Sequence, residues 1–169
     1  MPKVHLFYRG PFSQFHTSHF TLGARTYVCA EQYMHEQKAR LFGDDAMAAR
    51  ILASLRPHEH KMMGGAVQGF DQSQWDAAKI AIVTEGNRAK FGQNPGLRRR
   101  LLETGEAILA EANPKDYIWG IGLAENDPDA HHVDRWRGQN LLGQILAKVR
   151  EELRLGQLQA LGEGNECPQ

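Results

Sequence analysis

The feature that most constrains the fold is a long helical run that carries its own punctuation. Asp71 reads as its N-cap, Asn94-Pro95 opens a further helix beyond it, and Trp75, Ala78, Ile82, Gly86 and Ala89 recur along one face at helical spacing. Such a stripe has to be covered by other elements, and the chain supplies them. Ala30, Tyr33, Met34, Gln37 and Leu41 form a stripe that Gly43 terminates, Asp44 caps a helix through about Ser54, and Pro57 opens another that stops at Gly64-Gly65. After Asn94-Pro95 a short helix carries Arg98, Arg99 and Arg100 toward Thr104-Gly105. A last helix begins near Asn140 and buries Leu142, Ile145, Leu146, Val149 and Leu153. Strand signals are short: Val4 to Tyr8, a hairpin within Phe20 to Val28 that turns at Gly23, and Ala107 to Glu111. This balance predicts a mainly α fold, a single-domain helical bundle with a few short N-terminal strands over residues 1–154, and a frayed tail over residues 155–169.

Composition narrows the function. In 169 residues, 20 basic and 20 acidic side chains cancel, so no net field draws the whole chain to nucleic acid or anionic lipid, and any phosphate site must be local. The two cysteines, Cys29 and Cys167, make no disulfide framework. With no signal-type apolar run and no stretch long enough to span a bilayer, a cytoplasmic protein without membrane partners is expected.

Within the helix that follows Ala30, Glu31 and Lys38 stand seven residues apart, on nearly the same bearing and about 10 Å apart along the axis. Ordinary helix pairs sit closer, so this spacing leaves room for a ligand group between an acid and an amine, although a solvated helix edge would look the same. Asp116 and Trp119-Gly120-Ile121-Gly122 follow a proline break: Trp119 offers a flat wall to a heteroaromatic ring, or else fills core while Asp116 caps a turn. Trp136 through Asn140 leads into the last helix, whose free amides favour an anion, and Asn140 serves equally as an ordinary N-cap. His131, His132 and Asp134 lack a partner pair at metal-ligand spacing, as do His58 and His60, so no metal and no cofactor are expected. Cys29, with no evident histidine to orient it, reads as a buried structural thiol.

Taken in order, several segments carry a resemblance. Phe12-Ser13-Gln14-Phe15, Tyr27 through Ala39, Gly69-Phe70-Asp71 before Trp75, Arg88-Ala89-Lys90-Phe91 with Asn94-Pro95, Leu101 through Thr104-Gly105, Asp116 with Trp119 through Gly122, and Trp136, Gly138 and Asn140 through Gly143 together resemble the NADAR, or YbiA-like, family across residues 6–154. The resemblance implies a mainly helical N-glycosidase acting on a small ribosyl phosphate of the riboflavin-pathway aminopyrimidine type, or on an ADP-ribosyl adduct, including ADP-ribosylated nucleic acid. It also implies catalytic roles for Glu31, Lys38 and Asp116 and substrate contacts by Trp119, joined in this reading by Gly120, Trp136, Asn140 and Phe15. Gln14 stands where the family commonly has Asn, and Gly65 where a Leu-Gly-Arg pattern supplies Arg, which bears on substrate choice. Lys38 is expected either to form an imine with the sugar or to act as a cationic clamp. The competing expectations are a binding module that holds ADP-ribose or a nucleotide without turnover, and an interaction domain in which these charges are surface features.

Overall fold

The computed structural model describes residues 2–156. Cys167 and the tail from residue 157 onward lie outside the described residues. The elements run β1 (Val4–Phe7), β2 (Phe20–Leu22), β3 (Arg25–Tyr27), α1 (Ala30–Leu41), α2 (Asp45–Ala53), α3 (Pro57–Gly65), α4 (Gln72–Gln93), α5 (Pro95–Glu103), β4 (Ile108–Glu111), a 3-10 turn (Val133–Arg135) and α6 (Leu141–Arg154).

Local chemistry sets the helix ends. Asp44 accepts from Met47 N at 3.0 Å through one carboxylate oxygen and from Gln68 N at 2.9 Å through the other, so it caps α2 and ties down the loop after α3. Asp71 accepts from Gln74 N at 2.8 Å to start α4. Pro57 and Pro95 occupy first-turn positions of α3 and α5, where a missing N–H costs nothing. Gly43, at φ 72°, takes the left-handed conformation that lets the chain leave α1. Asn94 spends its amide on His19 O and Lys90 O, which ties the end of α4 to the N-terminal hairpin.

Two small sheets accompany the helices. β2 and β3 form an antiparallel hairpin, and β1 pairs with β4 in parallel, Val4 opposite Ile108 and Phe7 opposite Glu111. The main core lies where α4, α5 and α6 meet β4. Phe91, Leu101, Leu142, Leu146 and Val149 are fully buried there, with Phe7, Phe12, Met34 and Leu109 packed among them. Each buried leucine contributes on the order of 2 kcal/mol through apolar area removed from water.

Helix α1 departs from a simple amphipathic reading. It packs against α2, α3 and α4, so its first two turns are buried on every side, from Ala30 through Glu36. Leu41, expected on the apolar stripe, is exposed because the stripe runs out of neighbours at the last turn. Two buried polar side chains on α1, Gln32 and Glu36, find partners. Gln32 accepts from Val28 N and donates to the carbonyls of Ile51 and Ser54, while Glu36 takes the Tyr27 hydroxyl and the Arg40 guanidinium. On α4, Lys90 is wholly buried, donates to Ser13 O at 2.9 Å, and is pushed down to about 7 by burial.

Candidate active site

Segment 13–15 is fastened to the start of α1 by Glu31 N, which donates to Gln14 O at 3.0 Å. Glu31 and His35, one turn apart on α1, meet at 2.8 Å between Oε1 and Nε2. The back of the His35 ring rests on Gly64 of α3, where any Cβ would fall 1.8 Å from Nδ1; only glycine lets α3 approach this closely.

The facing wall comes from the other side of the molecule. Parallel pairing with β1 carries β4 to Glu111, whose backbone N–H is held by Asn140 Oδ1 at 3.1 Å while Asn140 Nδ2 donates to Leu109 O at 2.8 Å. Asn140 takes a left-handed φ of 53° to reach both. Just beyond, Asp116 Oδ1 accepts from Ile118 N and Trp119 N at 2.9 and 2.8 Å, which fixes the loop presenting Trp119. Gly120 is packed so closely behind this turn that a Cβ would lie 2.9 Å from Glu111 O and 3.1 Å from Asp116 O.

Between these walls is a cavity of about 150 Å³ lined by Glu31, Glu111, Asp116, Trp119, Phe15 and Lys61, with Ser13, Gln14, Met34, His35 and Asn113 completing it. Glu111 Oε2 is buried without a hydrogen-bond partner among the described residues. Its carboxyl is pushed up to about 8, first by burial and then by the charges of Asp116 and Glu31, with Lys61 pulling weakly the other way. Three acids therefore share one small space, and at neutral pH Glu111 carries a proton. Among the described residues no group of three or more His, Cys, Asp or Glu side chains is arranged to hold a metal ion.

Of the residues singled out from sequence, Glu31, Asp116, Trp119 and Phe15 come together on this cavity. Lys38 stands past His35, half-buried, donating to Gly64 O at 2.9 Å with its Nζ 4.6 Å from the Phe70 ring and 5.5 Å from the Trp75 ring; burial lowers its pKa. It lies outside the cavity lining, with the His35 position between it and Glu31 on α1. Gly120 backs the wall, and Asn140 is buried behind Glu111. Trp136 donates to Ala130 O at 2.8 Å and packs on the cluster of Val4, Ala110, Ile121 and Leu123. Glu111, His35 and Lys61 escaped sequence reasoning; the one signal for Glu111 was an acid ending an otherwise apolar strand, Ile108–Glu111. Cys29 does have a histidine nearby, His60 Nδ1 at 3.6 Å from its sulfur, but burial pushes the thiol up to about 11, so it remains an unreactive core group.

The NADAR domain family model matches residues 6–154. The chain belongs to the NADAR family. N-glycosidase R617 of Acanthamoeba polyphaga mimivirus is 48% identical over 126 residues, which are 75% of this chain and 74% of that protein. N-glycosidase Npun_R5314 of Nostoc punctiforme is 30% identical over 145 residues, 86% of each chain. The NMR structure of the E. coli protein YbiA aligns with a TM-score of 0.76 at 26% identity, covering 99% of this chain and 92% of the other. The mainly helical NADAR fold is thus common to both, and this NADAR protein is an enzyme of the class that hydrolyses N-glycosyl bonds.

Proposed function

We propose that this NADAR protein cleaves the C–N bond between a ribosyl group and a base, with Glu111 as proton donor to the departing base. The observation that carries the reading is the Glu111 carboxyl, whose Oε2 is buried and without a hydrogen-bond partner among the described residues, on the same wall as Asp116 and across from Glu31 in a cavity of about 150 Å³. N-glycoside cleavage builds positive charge at the anomeric carbon and negative charge on the leaving base, so it needs a carboxylate and an acid in one dry space. Asp116 is committed to two backbone N–H groups and serves to orient Trp119. Glu31, held by His35, faces the developing cation. In the proposed step the C–N bond breaks, the base leaves with the Glu111 proton, and water adds its oxygen to the anomeric carbon while a neighbouring carboxylate takes the released proton. A positioned acid of this kind supplies roughly 10²–10⁴-fold in rate.

Trp119 and Phe15 provide aromatic faces for the base. Lys61 is the sole lysine or arginine of the lining and sits at the exposed rim, where a substrate phosphate would stay clear of the acids. These features suit a ribosyl aminopyrimidine phosphate or an ADP-ribosyl adduct handled in the cytoplasm. Gly120 and Asn140 support the wall that holds Glu111, and Trp136 steadies the loop behind it.

A covalent variant is favoured by one observation, the burial-lowered pKa of Lys38. Its amine would have to leave Gly64 O and pass His35 to attack the sugar. Borohydride added during turnover should then leave a reduced sugar adduct on Lys38; an unmodified lysine leaves the water route alone. The main reading is tested by incubating the protein with ribosyl aminopyrimidine phosphates, ADP-ribose and ADP-ribosylated guanine DNA and measuring free base. Release by the wild type and its loss in Glu111→Gln are expected. Tight binding of these compounds with no base released after long incubation would instead make the chain a nucleotide-binding module.

A further inference from the structure

A second hollow borders segment 10–15, at Pro11 and Phe12 whereas the carboxyl cavity borders it from Ser13 to Phe15, and it has the opposite chemistry. It encloses about 620 Å³ and is lined by Lys3 and His5 from the β1 end, Arg9 and Phe12 from the following loop, and Arg99 and Arg100 from α5. Glu103 and Glu125 are the acids of its lining, which leaves a surplus of two positive charges in a chain whose net charge is zero. Several arginines elsewhere reach carboxylates, Arg40 to Glu36, Arg88 to Glu152, Arg135 to Asp129 and Arg154 to Glu106, while others do not. Lys3, Arg9, Arg99 and Arg100 have no such partner among the described residues.

The wall behind the cleft adds to this charge. Arg150 is buried, and its guanidinium donates to Thr104 Oγ1 at 2.8 Å and Ala107 O at 2.9 Å, both residues of the cleft lining, without touching a carboxylate. The combined field is felt by His5, which is held below its ordinary pKa by burial and then by Lys3 and Arg150. His16, the residue after Phe15, is also held below its ordinary pKa, first by burial, then by Lys90, and last by Arg100 of the cleft. Like charges gathered without counter-charges repel one another, and an anion seated among them removes that repulsion.

We propose that this cleft is a second binding site, for an anion carrying two or more phosphates. Forked guanidiniums from Arg9, Arg99 and Arg100 match phosphate oxygens in pairs, and the volume falls in the range of sites that hold ligands of nucleotide size. A free nucleoside polyphosphate and the backbone of a nucleic-acid strand present the same chemistry to these side chains.

The test uses the full chain at low salt, a fluorescently labelled single-stranded oligothymidylate read by anisotropy, and inorganic tripolyphosphate as competitor. Wild-type protein should bind the oligonucleotide with steep salt dependence. The double variant Arg99→Glu/Arg100→Glu, both at exposed helix positions, should keep its helical circular dichroism, bind at least about tenfold more weakly and lose roughly 1.4 from the slope of log K against log salt. Displacement by tripolyphosphate assigns the cleft to small polyphosphates, and a strand that resists displacement assigns it to nucleic acid. The charge-matched Arg50→Glu/Lys148→Glu, away from the cleft, should bind like wild type. The proposal is overturned if wild type binds neither probe, if the cleft variant binds undiminished, or if the control variant loses as much. Glu111→Gln separates this inference from the glycosidase reading, since it should cut base release by roughly 10²–10⁴-fold and leave probe binding intact.

Discussion

The two hollows that border segment 10–15 solve opposite electrostatic problems. The carboxyl cavity is small and its charges are few, but each is surrounded: Glu31 by His35, Asp116 by two backbone amides, Glu111 by buried walls. The basic cleft is larger and its charges are numerous, but Arg99 and Arg100 are exposed and unpaired. Burial and close neighbours change what a group can do chemically, whereas exposure leaves its chemistry ordinary and lets its field act at a distance. The contrast separates turnover from capture, and substitutions should divide the same way.

The largest effect should come from Glu111→Gln, which keeps shape and removes the proton donor: kcat/KM should fall by roughly 10²–10⁴-fold, measured as base release. In the wild type kcat/KM should decline as pH rises through about 8, where Glu111 gives up its proton, and that alkaline limb should be missing from the variant's residual activity. An unchanged limb would move the acid role to another group and weaken the contrast. Next in size, Gly64→Ala should force His35 off Glu31, cost about 1–3 kcal/mol in denaturant unfolding and reduce turnover together with stability. Asn140→Ala strands Glu111 N and Leu109 O and should cost about 1–3 kcal/mol, with a larger loss in kcat than in KM as Glu111 shifts. Smallest of all, Arg99→Ala in the basic cleft should alter unfolding by less than about 0.5 kcal/mol. A larger change there would mean that the cleft is part of the scaffold after all.

The helices were legible because their signals are local. Asp44 and Asp71 are caps, Pro57 and Pro95 are first-turn prolines, and Gly43 is a left-handed exit, each readable within a few residues. The acid that matters most was not legible. Glu111 reaches the cavity only because β4 pairs in parallel with β1, more than a hundred residues earlier, and because Asn140 clasps it from the start of α6. Its proton affinity belongs to no motif, since it arises from burial and from Asp116 and Glu31 arriving from two other elements. His35 was hidden for a different reason. A histidine four residues after a glutamate reads as an exposed pair, and only the closeness of α3 at Gly64 turns it inward. Spacing singled out Lys38 together with Glu31 and the family resemblance gave both an expected catalytic role; the structure puts the position of His35 between them.

The buried amine of Lys90, beneath Ser13, ties the pH dependence of folding to that of catalysis. Its pKa in the folded protein is about 7, against an ordinary 10.5, so between those values the unfolded chain holds a proton that the folded chain has released. Stability from this group therefore rises with pH across that interval and is lost as pH falls back toward 7. With Glu111 as the proposed proton donor, turnover should follow the reverse order, because the proton is retained below about 8 and gone above it. One side chain beneath Ser13 and one in the cavity wall thus bracket a working range: acid conditions load a charge under the cavity, and alkaline conditions take away the proton that the proposed cleavage uses.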